Sequence, residues 1–353
     1  MKKLKRIGII GCLADGYDMY DGQTVSTRVW RNEMESYSEK KLVVVDTYGY
    51  KKNIIKVIIS LLKCLCSCTH IIIMLSGDGL KTILPVVYFA KKIKRFKVYH
   101  RVIGGELDRF IDINTECVKY LNALEVNWVQ SPNLVRKLED RGVKNVAFLE
   151  NFRRIEPIVL SEIQRFNNKP FRFCTFCRVS VAKGIREAVK AIDDINMELG
   201  YDTAILDIYG PVEDIFADEF YTLISDKRGV SYKGCVQSEH AVFILKDYYM
   251  HLFPTTWSGE GFPGALIDCY NAALPTIATD WAYNSEYIRD GETGYLYDWH
   301  NHNLLTEKIK YAIQHPNEVF TMRKNCLAEA ERYSADRIIK KVMEYMINTT
   351  GEI

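Results

Sequence analysis

Excess charge of either sign is missing from this chain: 47 lysines and arginines stand against 45 aspartates and glutamates, a net charge of +2 over 353 residues. So even a balance gives no support for nucleic-acid binding, which usually rests on a strongly basic domain, and no nucleic acid is expected as a partner. An uninterrupted apolar run is missing too. The longest candidate, 53–75, carries Lys56, Lys63 and His70 and a polar break at 67–69, whereas a membrane span needs about 18 or more consecutive apolar residues. It reads as a helix followed by a buried strand. Cysteine and histidine pairs at zinc spacing are also absent. Ten cysteines are scattered through apolar segments. Cys64, Cys66 and Cys68, or Cys174 with Cys177, could ligate a metal, but small buried thiols are the plainer reading. The N-terminal MKKLKRIGIIG runs straight into a strand pattern with no cleavage site, so a cytoplasmic, reducing location is expected. There is no internal repeat and no low-complexity tract.

What is present is globular composition, 48% apolar and 26% charged, in a chain long enough for two cores. Short apolar strands at Ile7–Leu13, Leu42–Asp46, Ile71–Leu75, Lys97–Ile103 and Asn127–Gln130 alternate with helical patterns at 53–66, 80–93, 114–122 and 132–141. Such alternation predicts a parallel sheet covered on both faces. The rhythm breaks at Asn151–Pro170, a polar stretch with two prolines, and resumes with strands at Phe171–Arg178, Ala204–Tyr209, Val230–Tyr232, Tyr249–Phe253 and Pro275–Thr279. A helix is expected at Gly184–Leu199, and further helices at 302–314, 316–333 and 335–348. The expected organisation is therefore α/β, two Rossmann-like doubly wound domains at 1–165 and 166–335 followed by a helix at 336–353. In such sheets ligands gather at the carboxyl ends of strands near a topological switch, so a shared ligand is expected in a cleft between the domains.

The stretch HLFPTTWSGEGFPGALID, His251–Asp268, joins a strand end, a glycine-rich turn and a helix start. Free backbone N–H groups and the positive end of a helix dipole suit an anion there, and Glu260 adds an acceptor for hydroxyls. Asp268 can take both hydroxyls of a ribose, or else be a solvated helix residue, although Leu266, Ile267 and Cys269 beside it are apolar. Arg178 and Lys183 follow the first strand of the second half and can neutralise a diphosphate, the alternative being a solvated surface pair. In the first half, GIIGCLADG is a weak dinucleotide pattern with no well-placed acidic residue after it. Gly22 and Gln23 in DGQTVSTR open a helix whose amides could face a phosphate or an acceptor, or belong to an ordinary loop.

Taken together, EGFPGALID, CRVSVAKGIREAVKAI, LDIYGPVED around Gly210, VSYKGCV around Gly234, ALPTIATD and YNSEYIRDGETGYLY resemble the GT-B glycosyltransferases of the retaining family four type over about 170–350. That family has two glutamates separated by seven residues; here the second acid is Asp268, one methylene shorter. The resemblance implies that Arg178 and Lys183 hold the donor diphosphate and that Glu260 with the Gly261, Phe262, Pro263 and Gly264 backbone holds the transferred sugar. It also implies that Asp268 holds the ribose, that the loop after Gly234, including Val236, borders the base, and that the last helix crosses back to the first domain. Many members place a histidine after a middle strand of the first domain. In KVYHRVIGGELDRF, His100 falls inside the strand, so that role is not carried over, and Gly104 and Gly105 would allow close approach of a ligand to the backbone. No Asp-x-Asp is present, and no metal or other cofactor is expected.

The implied function is a retaining transfer of a sugar from a nucleoside diphosphate to a glycan or polyprenyl-linked acceptor in surface polysaccharide assembly. A non-catalytic sugar-nucleotide-binding subunit and a GT-B sugar-nucleotide epimerase are the alternatives; a nicotinamide oxidoreductase is disfavoured by the second-half motif. Lys2, Lys3, Lys5 and Arg6, then Lys51, Lys52 and Lys56 beside an apolar helix, and KKIKRFK at 91–97 put positive charge in the first half. That pattern fits either peripheral contact with an anionic membrane at the inner face of the plasma membrane, or a core helix with solvated lysines.

Overall fold

The structure, a computed structural model, describes residues 3–301 and 303–349; Lys2, His302 of the expected 302–314 helix, and 350–353 lie outside the described residues. The chain divides into two compact units, one running to Asn151 and taken up again from Ala335, the other spanning Phe152–Ser334.

The first unit has strands β1 (Ile7–Gly11), β2 (Val43–Asp46), β3 (His70–Met74), β4 (Lys97–Arg101), β5 (Val126–Val129) and β6 (Val146–Phe148), all parallel, in the order β2-β1-β3-β4-β5-β6. β1 and β3 are buried along their whole length, which explains why they read as unbroken apolar runs rather than alternating ones. Right-handed crossovers put the helix Gly22–Glu35 on one face, and the helices Tyr50–Ser67 and Gly77–Ile93 on the other. The glycines of β1 serve this packing. A Cβ on Gly8 would lie 2.4 Å from Cys64 Sγ, and one on Gly11 would lie 2.8 Å from Thr27 Cγ2. The two positions point to opposite faces, so each lets one helix close on the sheet. The final helix, Ala335–Asn348, buries Ile338, Ile339, Val342, Met343 and Met346 in this unit. Its Tyr345 sets its ring edge-on against Tyr99 and Trp128 and donates to the Glu125 carbonyl at 2.9 Å.

The second unit has β7 (Phe171–Phe176), β8 (Ala204–Tyr209), β9 (Val230–Gly234), β10 (Met250–Phe253), β11 (Thr276–Thr279) and β12 (Gly294–Tyr297), again parallel, in the order β12-β11-β10-β7-β8-β9. The chain winds outward from β7 to β9, then returns to lay β10 on the other side of β7. The switch point, and the crevice it opens, therefore lie at the carboxyl ends of β7 and β10.

The domain boundary expected at 165/166 lies at Asn151/Phe152 instead. Ile155, Ile158 and Ile163 of the polar, proline-containing segment pack with Cys269, Ala272 and Leu274, and Ile158 N–H donates to the Asn271 carbonyl at 2.9 Å. Those scattered isoleucines find their partners in the second unit, which composition alone does not reveal. The last helix, from Ala335, belongs to the first unit. The edge strands β6 and β12 had no clear sequence signal, being only three and four residues long.

Candidate active site

At the end of β7 the chain passes through Arg178 into a single 3-10 turn, Val181–Lys183, and then Gly184 at φ +71°. A Cβ on Gly184 would stand 2.1 Å from the Pro254 carbonyl oxygen, so only glycine lets this turn close on the segment leaving β10. Two further bonds fasten the same region. Thr256 N–H donates to the Ala182 carbonyl at 2.8 Å, and Thr279 Oγ1, at the end of β11, donates to the Thr255 carbonyl at 2.5 Å.

This seam brings together Lys183 and Glu260, both buried. Lys183 Nζ donates to Glu260 Oε2 at 2.5 Å, and Thr255 Oγ1 donates to the same oxygen at 3.0 Å. The ammonium also sits 4.4 Å from the ring centroid of Trp257. That ring is held from below, because a Cβ on Gly259 would reach within 2.7 Å of it, and Trp281 Nε1 donates to the Trp257 carbonyl at 2.8 Å. The site thus contains an acceptor carboxylate and a donor ammonium that neutralise each other, both buried, beside the partly exposed ring of Trp257. Arg178 stands apart from the pair. Its side chain is 44% exposed, with the guanidinium 3.8 Å from Glu213 and 5.9 Å from the Trp257 ring, and is available to an anion arriving from solvent.

Gly210 and Gly234 close the exits of β8 and β9. Gly210 has φ +127°, and a Cβ there would be 1.9 Å from the Cys177 carbonyl oxygen; its N–H donates to the Gly234 carbonyl at 2.9 Å. Gly234, at φ +79°, has open space where a side chain would be, and Val236 lies half-buried in the loop beyond it. Arg178, Lys183, Gly210, Gly234, Val236 and Glu260 therefore all lie at or just past the carboxyl ends of β7, β8, β9 and β10.

In the acidic motif, Gly261 is buried and Phe262 anchors the turn, stacked 3.9 Å from Tyr287 and edge-on to Tyr333. Pro263 caps the helix Gly264–Asn271. The guanidinium of Arg153 lies directly on Gly264, 1.8 Å from where a Cβ would be, and its Nε donates to Asp268 Oδ1 at 3.3 Å. Asp268 is buried, and that burial raises its pKa, partly offset by the Arg153 charge. The structure thus gives this carboxylate a protein partner that sequence reading did not supply.

In the first unit, Gly22 opens its helix after the loop that leaves β1, with Asp21 Oδ1 accepting from Thr24 N–H at 2.9 Å and nothing crowding the glycine. Gln23 Nε2 makes a long 3.5 Å contact to the Met74 carbonyl. His100 is fully buried in β4, with Nδ1 3.0 Å from Asn127 Oδ1, and burial holds its pKa down at about 4, so the ring is neutral. Gly104 takes φ +76° after that strand. All ten cysteines are free thiols, burial pushes Cys177 up to about 12, and among the described residues no group of three or more His, Cys, Asp or Glu is placed to hold a metal ion.

Thr255, Trp257 and Arg153 are the site residues that sequence reading did not single out. Thr255 and Trp257 lie inside the quoted motif, just past a strand end, and were readable there in principle. Arg153 sits in the boundary segment, 115 residues from Asp268, and nothing local marks it.

Two parallel six-stranded, doubly wound units in one chain, the second with its polar cluster at the switch point, define the GT-B fold. The fold matches Anabaena Alr3699/HepE crystallised with UDP at a TM-score of 0.77, with 14% identity over 98% of this chain and 100% of that one. It also matches the lipopolysaccharide outer core galactosyltransferase WaaB at a TM-score of 0.68, with 15% identity over 98% and 99% of the two chains. Residues 159–332 match the family described as glycosyl transferases group 1. A poly(ribitol-phosphate) alpha-N-acetylglucosaminyltransferase of Staphylococcus aureus (strain COL) is 28% identical over 141 residues, 38% of this chain. The match spans only 27% of that relative's length.

Proposed function

We propose that this chain is a retaining glycosyltransferase that moves a sugar from a nucleoside-diphosphate donor to a glycan or polyprenyl-linked acceptor in surface polysaccharide assembly. The observation that carries the reading is the Lys183–Glu260 pair, joined at 2.5 Å where β7 and β10 end, within the segment that matches the family. A donor diphosphate entering there offers Lys183 and Arg178 a stronger anion than Glu260 and Glu213, and releases the Glu260 carboxylate to accept from sugar hydroxyls. Asp268 takes the ribose, its carboxylate oriented by Arg153, and Gly234 and Val236 border the base. Leaving-group charge is met by Lys183, Arg178 and backbone N–H groups, so no metal ion is required. The acceptor then attacks from the face the diphosphate leaves. A polyprenyl-linked acceptor would set the reaction at the inner face of the plasma membrane.

Several structural neighbours carry UDP, so radiolabelled UDP-sugars are the first donors to offer, with glycan and polyprenyl-phosphate acceptors and anomer assignment of the product. Turnover is expected with retained configuration, unchanged in excess chelator, and abolished by Glu260→Ala in a folded protein. An inverted product would overturn the retaining assignment, and loss in chelator restored by magnesium would overturn metal independence. Donor binding without transfer or hydrolysis would favour a non-catalytic subunit.

A further inference from the structure

The helix Tyr50–Ser67 is apolar, yet it buries only Val57, Cys64 and Leu65. Ile54, Ile58 and Leu62, with Ile55 and Ile59 beside them, follow an i, i+4 rhythm along one continuous stripe, and all are exposed, Ile55 at 72% and Ile59 at 61%. Of the two readings the sequence left open, a helix buried in the core is not what the structure shows: one edge of the helix meets the sheet, and its isoleucine stripe faces water. Lys52, Lys56 and Lys63 border the stripe, all exposed. No aspartate or glutamate occurs anywhere from Tyr50 to Gly77.

The neighbouring helix Gly77–Ile93 lies on the same face of the sheet and adds exposed apolar side chains. Lys94, just past its end, donates to the carbonyls of Leu65 and Cys66 and so ties the two helix ends together. Val86, Phe89 and Ile93 are exposed on that helix, Ile93 at 90%, and Lys92 covers the Phe89 ring. The stripe of the first helix is bounded by cations, and the one acidic residue of the second helix, Asp78, stands in its first turn, away from Val86, Phe89 and Ile93; such a surface is an electrostatic and hydrophobic match for one kind of partner.

We propose that this face seats the protein on an anionic phospholipid bilayer, with the isoleucines at the acyl boundary and the lysines among the phosphates. The composition decides between a bilayer and a protein partner. Protein interfaces concentrate Trp, Tyr and Arg and are depleted in Lys, whereas this patch is mostly aliphatic, with Phe89 its one exposed ring on the second helix, and is bordered by lysine, whose long stem can lie along apolar surface while its charge reaches the headgroups. The helix lies in the interface and does not cross it: among the described residues no helix is long and apolar enough to span a membrane. The proposal deepens the polyprenyl-linked acceptor reading, yet vesicle binding and sugar transfer are separate measurements, so each can fail without the other.

The test is co-sedimentation of the purified full chain with vesicles of phosphatidylcholine alone, or mixed with phosphatidylglycerol, at low and high salt. Binding is expected only with phosphatidylglycerol, and weaker at high salt. Ile55→Glu and Ile59→Glu should each weaken it about tenfold, and Lys52→Gln or Lys56→Gln each about fivefold. All four positions are exposed, so melting temperatures should stay unchanged, and a variant that melts lower is replaced by Leu62→Glu on the same stripe. No binding to phosphatidylglycerol vesicles at low salt, or equal binding by the isoleucine variants, would overturn the proposal. So would a dimer of the free protein that dissociates on Ile55→Glu, since the stripe would then be a contact between copies.

Discussion

Removing one member of the Lys183–Glu260 pair should cost far more than removing both. Glu260→Gln leaves a buried ammonium with no anion beside it, against the Trp257 and Phe253 rings, and Lys183→Met leaves a buried carboxylate with the Thr255 hydroxyl and no cation. An uncompensated buried charge of this kind costs about 3–5 kcal/mol, while replacing both partners by neutral groups of similar volume is close to neutral. In a unit of this size each kcal/mol moves the melting point by about 2–4 °C, so each single variant should melt roughly 10 °C lower and the double variant within a few degrees of wild type. The coupling term of the double-mutant cycle should then be about 6–10 kcal/mol in favour of the pair. Thermal melts and urea titrations of the four proteins, followed by tryptophan fluorescence, measure it directly, with Trp257 as a reporter beside the pair. A second arm uses UDP: with Glu260 neutral, Lys183 is no longer shared, so Glu260→Gln should bind UDP at least as tightly as wild type while losing turnover. Losses that simply add in the double variant would refute the reasoning, because the two side chains would then be stabilised independently.

Three other outcomes follow from the same geometry. Gly210→Ala should be among the most damaging single changes, costing more than about 4 kcal/mol, because φ +127° and a 1.9 Å approach to the Cys177 carbonyl leave no room for a Cβ; soluble yield and melting temperature check it. Arg153→Met should strand the buried Asp268 carboxylate, lowering stability by about 3 kcal/mol and weakening UDP binding in calorimetric titration; unchanged UDP affinity would remove Arg153 as an orienting residue. His100 and His251 are held neutral by burial, with pKa values down from 6.5 to about 4 and about 3. The unfolded chain therefore binds protons that the folded chain does not, and stability falls as pH drops below about 6.5. For His251 the loss between pH 7 and pH 5 is about 2 kcal/mol, and His251→Asn should flatten the pH dependence of melting by that amount.

Most of the strand and helix pattern was legible in the sequence, because the 3.6 and 2 residue periods, and the unbroken runs of sheets buried on both faces, are written by neighbouring residues. The same holds for the turn glycines at strand ends and for Arg178, Lys183 and Glu260, whose motifs lie where a doubly wound sheet collects its ligands. What a residue meets across the fold is a different kind of information. The salt link between Lys183 and Glu260 joins positions 77 apart, and that between Arg153 and Asp268 joins positions 115 apart; both depend on which strands end side by side and where the linker folds back. The place of the domain boundary was likewise decided by isoleucines finding a surface in the second unit. Whether the apolar helix Tyr50–Ser67 is core or surface was open in the sequence, because apolarity states what a side chain avoids and only packing decides which side chains are covered.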